Sequence, residues 1–315
     1  MTDTSHPQTL RSLTDLVEVV PTFLGFHPTE SVVVISIEAG SVVLTARVDL
    51  DLPGGHGTAA ALRAVWRKVP HGDHIVIAYS DDPDRAWWAL DDVADAMPGH
   101  CGRTLLHADG ERWYEDPHDS GTPYDRLGSV HLARAAYDGR PVRHSRAELA
   151  RLVEPARTPA EVTASLERVA ESFATLGCLV AEARALVAGH DDAPGDLDID
   201  EATVLCLATH DAAFLDEALL STTGDNADAR IGLWAQVVQS GVPNCAGGAL
   251  VALALAGWVA GEGAIASICL EALEGRPGPG EWIEMLEAVI ADAVHPHMWE
   301  EVRARQLALR VPDAS

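Results

Sequence analysis

The sequence predicts an α/β domain at about residues 10–150, built on a mixed, mostly parallel three-layer sheet of five strands. An all-helical domain at about 156–310 follows, either a bundle or a tetratricopeptide-like array. Three observations carry this reading. Val32-Val33-Val34-Ile35 is a continuous β-branched run, the pattern of a strand buried on both faces. Strand and helix patterns then alternate to about residue 115, an order that lays strands parallel through right-handed crossovers. From Thr158 onward every regular stretch has helical spacing.

Residues 1–11 read as a frayed tail. Ser12, with Asp15 three positions on, is an N-cap pair for a helix carrying Leu13, Leu16, Val17 and Val20 at helical spacing. Pro21 is expected to kink or restart that helix, and Gly25 to close it in a left-handed cap. Strands follow at about 31–37 and 42–49, joined through Glu38-Ala39-Gly40-Ser41. In the second, Val42, Leu44, Ala46 and Val48 alternate with Val43, Thr45, Arg47 and Asp49. One apolar and one polar face suits an antiparallel strand nearer an edge. Pro53-Gly54-Gly55 ends it, and residues 58–69 form a helix with Leu62, Val65, Trp66 and Val69 on its apolar side. A third strand, HIVIAYS at 74–80, leads into a helix that Asp82 caps, Pro83 opens and Pro98-Gly99 stops. Asp109-Gly110 signals a hairpin between 103–107 and 111–115. Residues 116–127 are a polar loop, and 128–137 a short helix.

Thr158-Pro159-Ala160-Glu161 is a capping box with proline in the first turn. Behind it Val162, Leu166, Val169, Phe173, Leu176, Val180, Ala183 and Val187 repeat at alternating spacings of four and three. The pattern predicts one helix about 45 Å long, with Gly177 as its point of interruption. Further helices are expected at about 199–209, 211–221, 227–239, 245–259, 262–274, 280–293 and 296–309. The pair either side of Ala256–Gly263 resembles one tetratricopeptide-like unit.

Composition excludes several functions. Hydrophobic residues are 47% of the chain, enough for a substantial core. With 48 acidic against 22 basic residues the net charge is −26, which repels phosphate backbones and anionic lipid, so nucleic-acid and membrane-surface partners are not expected. Lys68 is the single lysine, a bias that fits GC-rich coding, with adaptation to salt as the alternative. Cys101, Cys178, Cys206, Cys245 and Cys269 are scattered without a CxxC pair, which points to buried thiols in a reducing compartment. The N-terminus lacks the basic start and apolar stretch of a signal peptide. Val242–Ala260 has the length of a membrane span, but its Ala and Gly content, Pro243 and Asn244 favour a buried bundle helix. The expectation is a cytoplasmic protein.

The stretch VPTFLGFHPTESVVVISIEAGSVVLTARVDL, the GTPY of Gly121–Tyr124 and the Trp258/Gly261/Gly263 helical pair together resemble domain-of-unknown-function family 4192. LGFHPTES is the most specific part. The resemblance implies a cytoplasmic, actinobacterial origin and carries no catalytic residue to transfer.

Candidate chemistry centres on the GFHPTES corner. His27 and Glu30 flank Pro28-Thr29 there, as a general base with its orienting carboxylate or as a ligand clamp. A structural corner, with Gly25 at positive φ and His27 bonding a loose carbonyl, explains the same residues. Asp81, in Ser80-Asp81-Asp82, stands at the carboxyl end of a strand, where open α/β sheets bind ligands. Asp82 is already explained as an N-cap. Arg47, Asp49, Thr122, Tyr124 and Asp125 are the ligand-binding candidates, from the end of the second strand and the long loop. For Asp49 and Asp51 a solvated strand end is the commoner explanation. His295-Pro296-His297 with Glu300 and Glu301 matches no zinc spacing, so no metal is expected. With neither a GxxxxGK[ST] loop nor a GxGxxG turn, no cofactor is expected either. No serine lies in a GxSxG setting. A non-catalytic module binding a protein or a small molecule is the favoured reading. A small-molecule enzyme at the corner and the 116–127 loop is the alternative, and a homo-oligomeric subunit the third.

Overall fold

A computed structural model describes residues 10–50, 57–137, 142–243, 246–292 and 294–310. The expected tail over its first nine positions, Asp51, the Pro53-Gly54-Gly55 turn and Cys245 lie outside these. The chain divides into two compact units, 1–146 and 147–315.

The first unit begins with α1 (Leu13–Leu24). Ser12 caps it, accepting from Asp15 N, and Gly25 ends it at φ 75°. Pro21 lies inside the helix, which runs on to Leu24 without restarting. A hairpin of β1 (Ser31–Glu38) and β2 (Ser41–Asp49) follows, then α2 (Thr58–Lys68), β3 (Asp73–Tyr79), α3 (Pro83–Ala96) and β4 (Gly102–Ala108). The short β5 (Arg112–Tyr114) and β6 (Thr122–Pro123) precede α4 (Val130–Tyr137). Asp82 caps α3 through Asp84 N and Arg85 N, with Pro83 in its first turn, as the sequence requires.

The sheet has six strands in the order β2-β1-β3-β4-β5-β6. Only β3–β4 is parallel; β1–β2, β1–β3, β4–β5 and β5–β6 are antiparallel. The expected mostly parallel sheet is therefore corrected to a mostly antiparallel one, and the sixth strand comes from the loop at Thr122. The physical reason lies in β1. The β2–α2–β3 crossover sets β2 and β3 in the same direction, but the hairpin leaves β1 between them, antiparallel to both. Sequence order shows the crossover and not the strand it passes over.

As an interior strand, β1 is buried from Ser31 to Ser36. Val32, Val34, Val76 and Ala78 point to one face and pack with Leu62, Val65 and Trp66 of α2 and Ala86, Leu90 and Val93 of α3. At about 1.5–3 kcal/mol for each large apolar side chain buried, this cluster is a major source of the unit's stability. On β2, Leu44, Ala46 and Val48 face the same cluster, while Val42, expected on that apolar side, is 37% exposed beyond the register shift at Ser36/Ile37. Val33, Ile35 and Ile77 are fully buried on the opposite face, where Tyr79 Oη donates to Val17 O of α1 at 3.5 Å.

The second unit is helical: α5 (Arg146–Ala150) at the boundary, a 3-10 turn (Arg151–Val153), α6 (Pro159–Ser172), α7 (Leu176–Asp192), α8 (Ile199–Ala208), α9 (Ala212–Leu220), α10 (Ala227–Gln239), α11 (Ala246–Val259), α12 (Gly263–Leu273), α13 (Gly280–Ala291), a second 3-10 turn (Pro296–Met298) and α14 (Trp299–Arg310). The expected 45 Å helix is two helices, bent by 112°. The break falls at Phe173–Thr175 and not at Gly177. Phe173 turns to extended backbone, and the Thr175 side chain caps α7 by accepting from Cys178 N. A capping hydroxyl competes with the helix for those amides, and the apolar spacing ran across it unaffected. Val162, Val169, Val180, Ala183 and Val187 are buried, while Leu176 at the bend is 56% exposed. No single helix among the described residues is long and apolar enough to cross a membrane. In α11, every side chain from Ala249 to Ala256 is buried, the core helix that its composition suggested.

Candidate functional site

The corner before β1 is fixed by backbone. His27 N donates to Arg143 O at 3.0 Å and Arg143 N to Gly25 O at 2.9 Å, so Phe26 and Arg143 pair like a short parallel bridge. Glu30 then turns the chain at φ 42°, a left-handed conformation that costs a non-glycine residue about 1–2 kcal/mol. Its carbonyl accepts from Leu50 N at 2.9 Å. Its carboxylate accepts from Ser80 Oγ at 2.8 Å and from Arg85 Nη1 at 2.7 Å, tying the corner to the turn between β3 and α3.

β1 is antiparallel to β3, so the start of β1 lies beside the carboxyl end of β3, and β3 and β4 end side by side. A cleft of about 140 Å³ opens there. His27, Pro28, Thr29 and Glu30 line it from the corner, Tyr79, Ser80 and Asp81 from the end of β3, Asp109 and Gly110 from the hairpin turn, Tyr124 and Arg126 from the loop, and Val17, Glu18 and Pro21 from α1. The carboxyl ends of parallel strands are where α/β sheets gather ligands, because the turns there diverge.

His27 is 5% exposed, and its Nδ1 has no hydrogen-bond partner. Burial, with Arg126 and His144 nearby, holds its pKa below the usual 6.5, so the ring is neutral at pH 7. Glu30 is committed elsewhere; among the described residues no hydrogen bond joins it to the ring. Ser80 is 4% exposed, and its hydroxyl donates to Glu30 while accepting from Asp82 N at 3.1 Å. Its carbonyl meets His107 Nε2 at 2.8 Å. Burial raises the pKa of Tyr79 well above the usual range and pushes that of Tyr124 up to about 12, so both phenols stay protonated. Burial opposes ionisation of Asp109, but the N–H groups of Arg112 and Glu111 and the Tyr114 hydroxyl outweigh it and lower its pKa.

Of the residues the sequence singled out, His27, Glu30, Asp81 and Tyr124 meet at this cleft. Arg47, Asp49, Thr122 and Asp125 are not among its lining residues. Arg47 pairs with Asp49 and lies over the Phe26 ring, 5.7 Å from its centroid. Thr122 pairs with Trp113 in the sheet. Asp125 caps its own turn through Leu127 N and Gly128 N and holds Glu18 through its backbone N–H. Arg126, Asp109, Tyr79 and Glu18 were missed. The first stands beside Tyr124 in the loop already singled out, and Asp109 was recognised only as a hairpin turn. Nothing local marks Glu18 or Tyr79.

Among the described residues no three His, Cys, Asp or Glu side chains are arranged to hold a metal ion. His295 Nδ1 accepts from His297 N, a turn-capping role. Cys206 and Cys269 are buried as expected, whereas Cys101 is half-buried and Cys178 is exposed near the start of α7.

A family model described as "Domain of unknown function (DUF4192)" matches residues 14–297. No curated protein and no solved structure matches the chain.

Proposed function

The chain belongs to the DUF4192 family, and from that premise we propose that it is a cytoplasmic, non-catalytic module whose N-terminal unit binds a small polar molecule in the cleft beside His27. One observation carries the reading. Segments distant in sequence turn polar side chains onto one cleft, where His27 is buried with a nitrogen unmatched. A buried polar atom without a partner costs about 1–3 kcal/mol, an expense that packing alone does not require. The free thiols of Cys101, Cys178, Cys206 and Cys269 support a reducing compartment.

A small-molecule enzyme using His27 as base is the second reading, favoured by the neutral ring. Against it, the Ser80 hydroxyl is already spent on Glu30, and Glu30 does not orient the imidazole. For the helical unit we propose a protein partner, a second copy of the chain included. Support comes from the paired helices α11 and α12, in the manner of a tetratricopeptide-like array, since such arrays present extended surfaces. In the same reading the sheet is the middle of three layers, supported by full burial of Val33, Ile35 and Ile77 on the face away from α2 and α3. A net charge of −26 disfavours nucleic acid and anionic membranes as partners.

The test is a titration of the full chain with a library of small polar metabolites, followed by amide shifts. Saturable shifts at residues 26–30, 79–81, 108–110 and 124–126 are expected, and Tyr124→Ala weakens them. Metabolites that bind while leaving those amides unmoved overturn the assignment.

A further inference from the structure

We propose that the ligand of this cleft is a small zwitterion, an α-amino acid or a molecule with the same ammonium and carboxylate ends. The inference rests on the cleft being the binding site and asks which of its charges are already spent. Glu30 is committed to Ser80 and Arg85, and Asp109 to two backbone amides and the Tyr114 hydroxyl. Glu18 has one oxygen held by Asp125 N at 2.9 Å. Asp81 and Arg126 are left. Among the described residues neither makes a hydrogen bond or ion pair, with each other or with any other group.

These two groups nevertheless line the same cleft, together with Tyr124. Both act on the Tyr124 hydroxyl, Arg126 favouring its ionised form and Asp81 opposing it. A cation and an anion thus border one cleft without neutralising each other. A ligand with a single charge satisfies one and leaves the other; a ligand with both satisfies both, and charge-assisted contacts are the strong ones. Arg126 is also steered. Its Nη1 lies 3.2 Å from where a Cβ on Gly110 would stand, so the bare glycine at φ 95° lets the guanidinium lie close over the turn.

An independent observation marks the place as a built site. The neutral His27 ring, 5% exposed, lines the cleft with Nδ1 unmatched. Tyr79, equally buried, reaches among the described residues only Val17 O, at 3.5 Å, the outer limit of a hydrogen bond. The volume of about 140 Å³ is below the range of drug-sized pockets, which runs from about 300 Å³. It fits a molecule of amino-acid size.

The test titrates the full chain with glycine, L-alanine, L-serine and L-leucine, and with propionate, ethylamine and propionamide, each followed by cleft amide shifts. We expect at least one amino acid to bind there roughly tenfold or more tightly than propionate or ethylamine. Asp81→Asn and Arg126→Gln each weaken it by a similar factor. Neither side chain holds another part of the fold, and unshifted β1 amides confirm that the variants are folded. Propionate, ethylamine or propionamide binding the cleft as tightly as the amino acids overturns the zwitterion and upholds the cleft. Cleft signals that no probe moves overturn the zwitterion too, and the metabolite library then judges the cleft separately.

Discussion

Replacing Glu30 separates the backbone cost of the corner from the work of its side chain. At φ 42° a residue with a Cβ loses about 1–2 kcal/mol, which glycine recovers. Against that stands the carboxylate. Its ion pair with Arg85 is half-exposed, 47% and 41% on the two sides, and is worth about 0.5 kcal/mol after solvent screening. The bond from Ser80 Oγ, partly buried and accepted by a charged group, adds about 1 kcal/mol. Glu30→Ala keeps the strain and loses both contacts, a cost of about 1.5 kcal/mol. Glu30→Gly loses the same contacts but relieves the strain, so its cost falls to about 0.5 kcal/mol or less. The glycine variant should therefore be the more stable by about 1 kcal/mol. Native-state hydrogen exchange of the β1 amides Val32–Ile35 reads this within the sheet, because they open only when the unit unfolds. An alanine variant as stable as the glycine variant refutes the reasoning.

The other predictions concern charge and packing. For His27 the folded pKa lies below 6.5, so above that value both states are neutral and no stability depends on the ring; as pH falls below 6.5 the unfolded chain takes up the proton first and stability is lost. Denaturation from pH 7 to 5 should show a shallower acid loss in His27→Gln than in the parent, and identical slopes count against a buried neutral ring. In the helical unit Arg230 is 1% exposed and meets Asp191 through both Nε and Nη2. Asp191→Ala strands that charge and should cost about 3 kcal/mol, more than Arg230→Met, which removes it; the reverse order in thermal melts contradicts this. Two alanine substitutions in helices should have opposite signs. Gly232 in α10 has open space around its Cα, so Gly232→Ala stabilises by about 0.5–1 kcal/mol. At Gly247 a Cβ would fall 2.2 Å from Pro277 O, and backbone cannot step aside, so Gly247→Ala destabilises by about 2 kcal/mol despite the same gain in helix propensity. Urea midpoints of the two variants moving in the same direction refute the packing argument.

What the sequence determined by itself is local. Ser12, Asp82 and Thr158 cap helices through amides two or three residues on, and Gly25 closes α1 at positive φ. The β-branched run of β1 and the alternation of β2 announced one interior and one half-covered strand. Such features are readable because the groups that satisfy them lie within a turn of the residue concerned. The misreadings have the same origin: the Thr175 cap was overlooked while apolar spacing continued past it. Only the tertiary structure decided which strands are neighbours. β1 meets β2 through a local hairpin, but the hydrogen bonds that place β3 on its other side join distant residues, and both strand orders bury the same valines. The cleft is likewise a product of that order. His27, Asp81 and Tyr124 were visible as polar residues in turns, but Arg126 and Glu18 reach the same space only because the β3 and β4 ends meet beside α1. A chain's pattern of apolar residues states how much surface must be buried, and the pairing of strands then settles which polar residues are left facing one another.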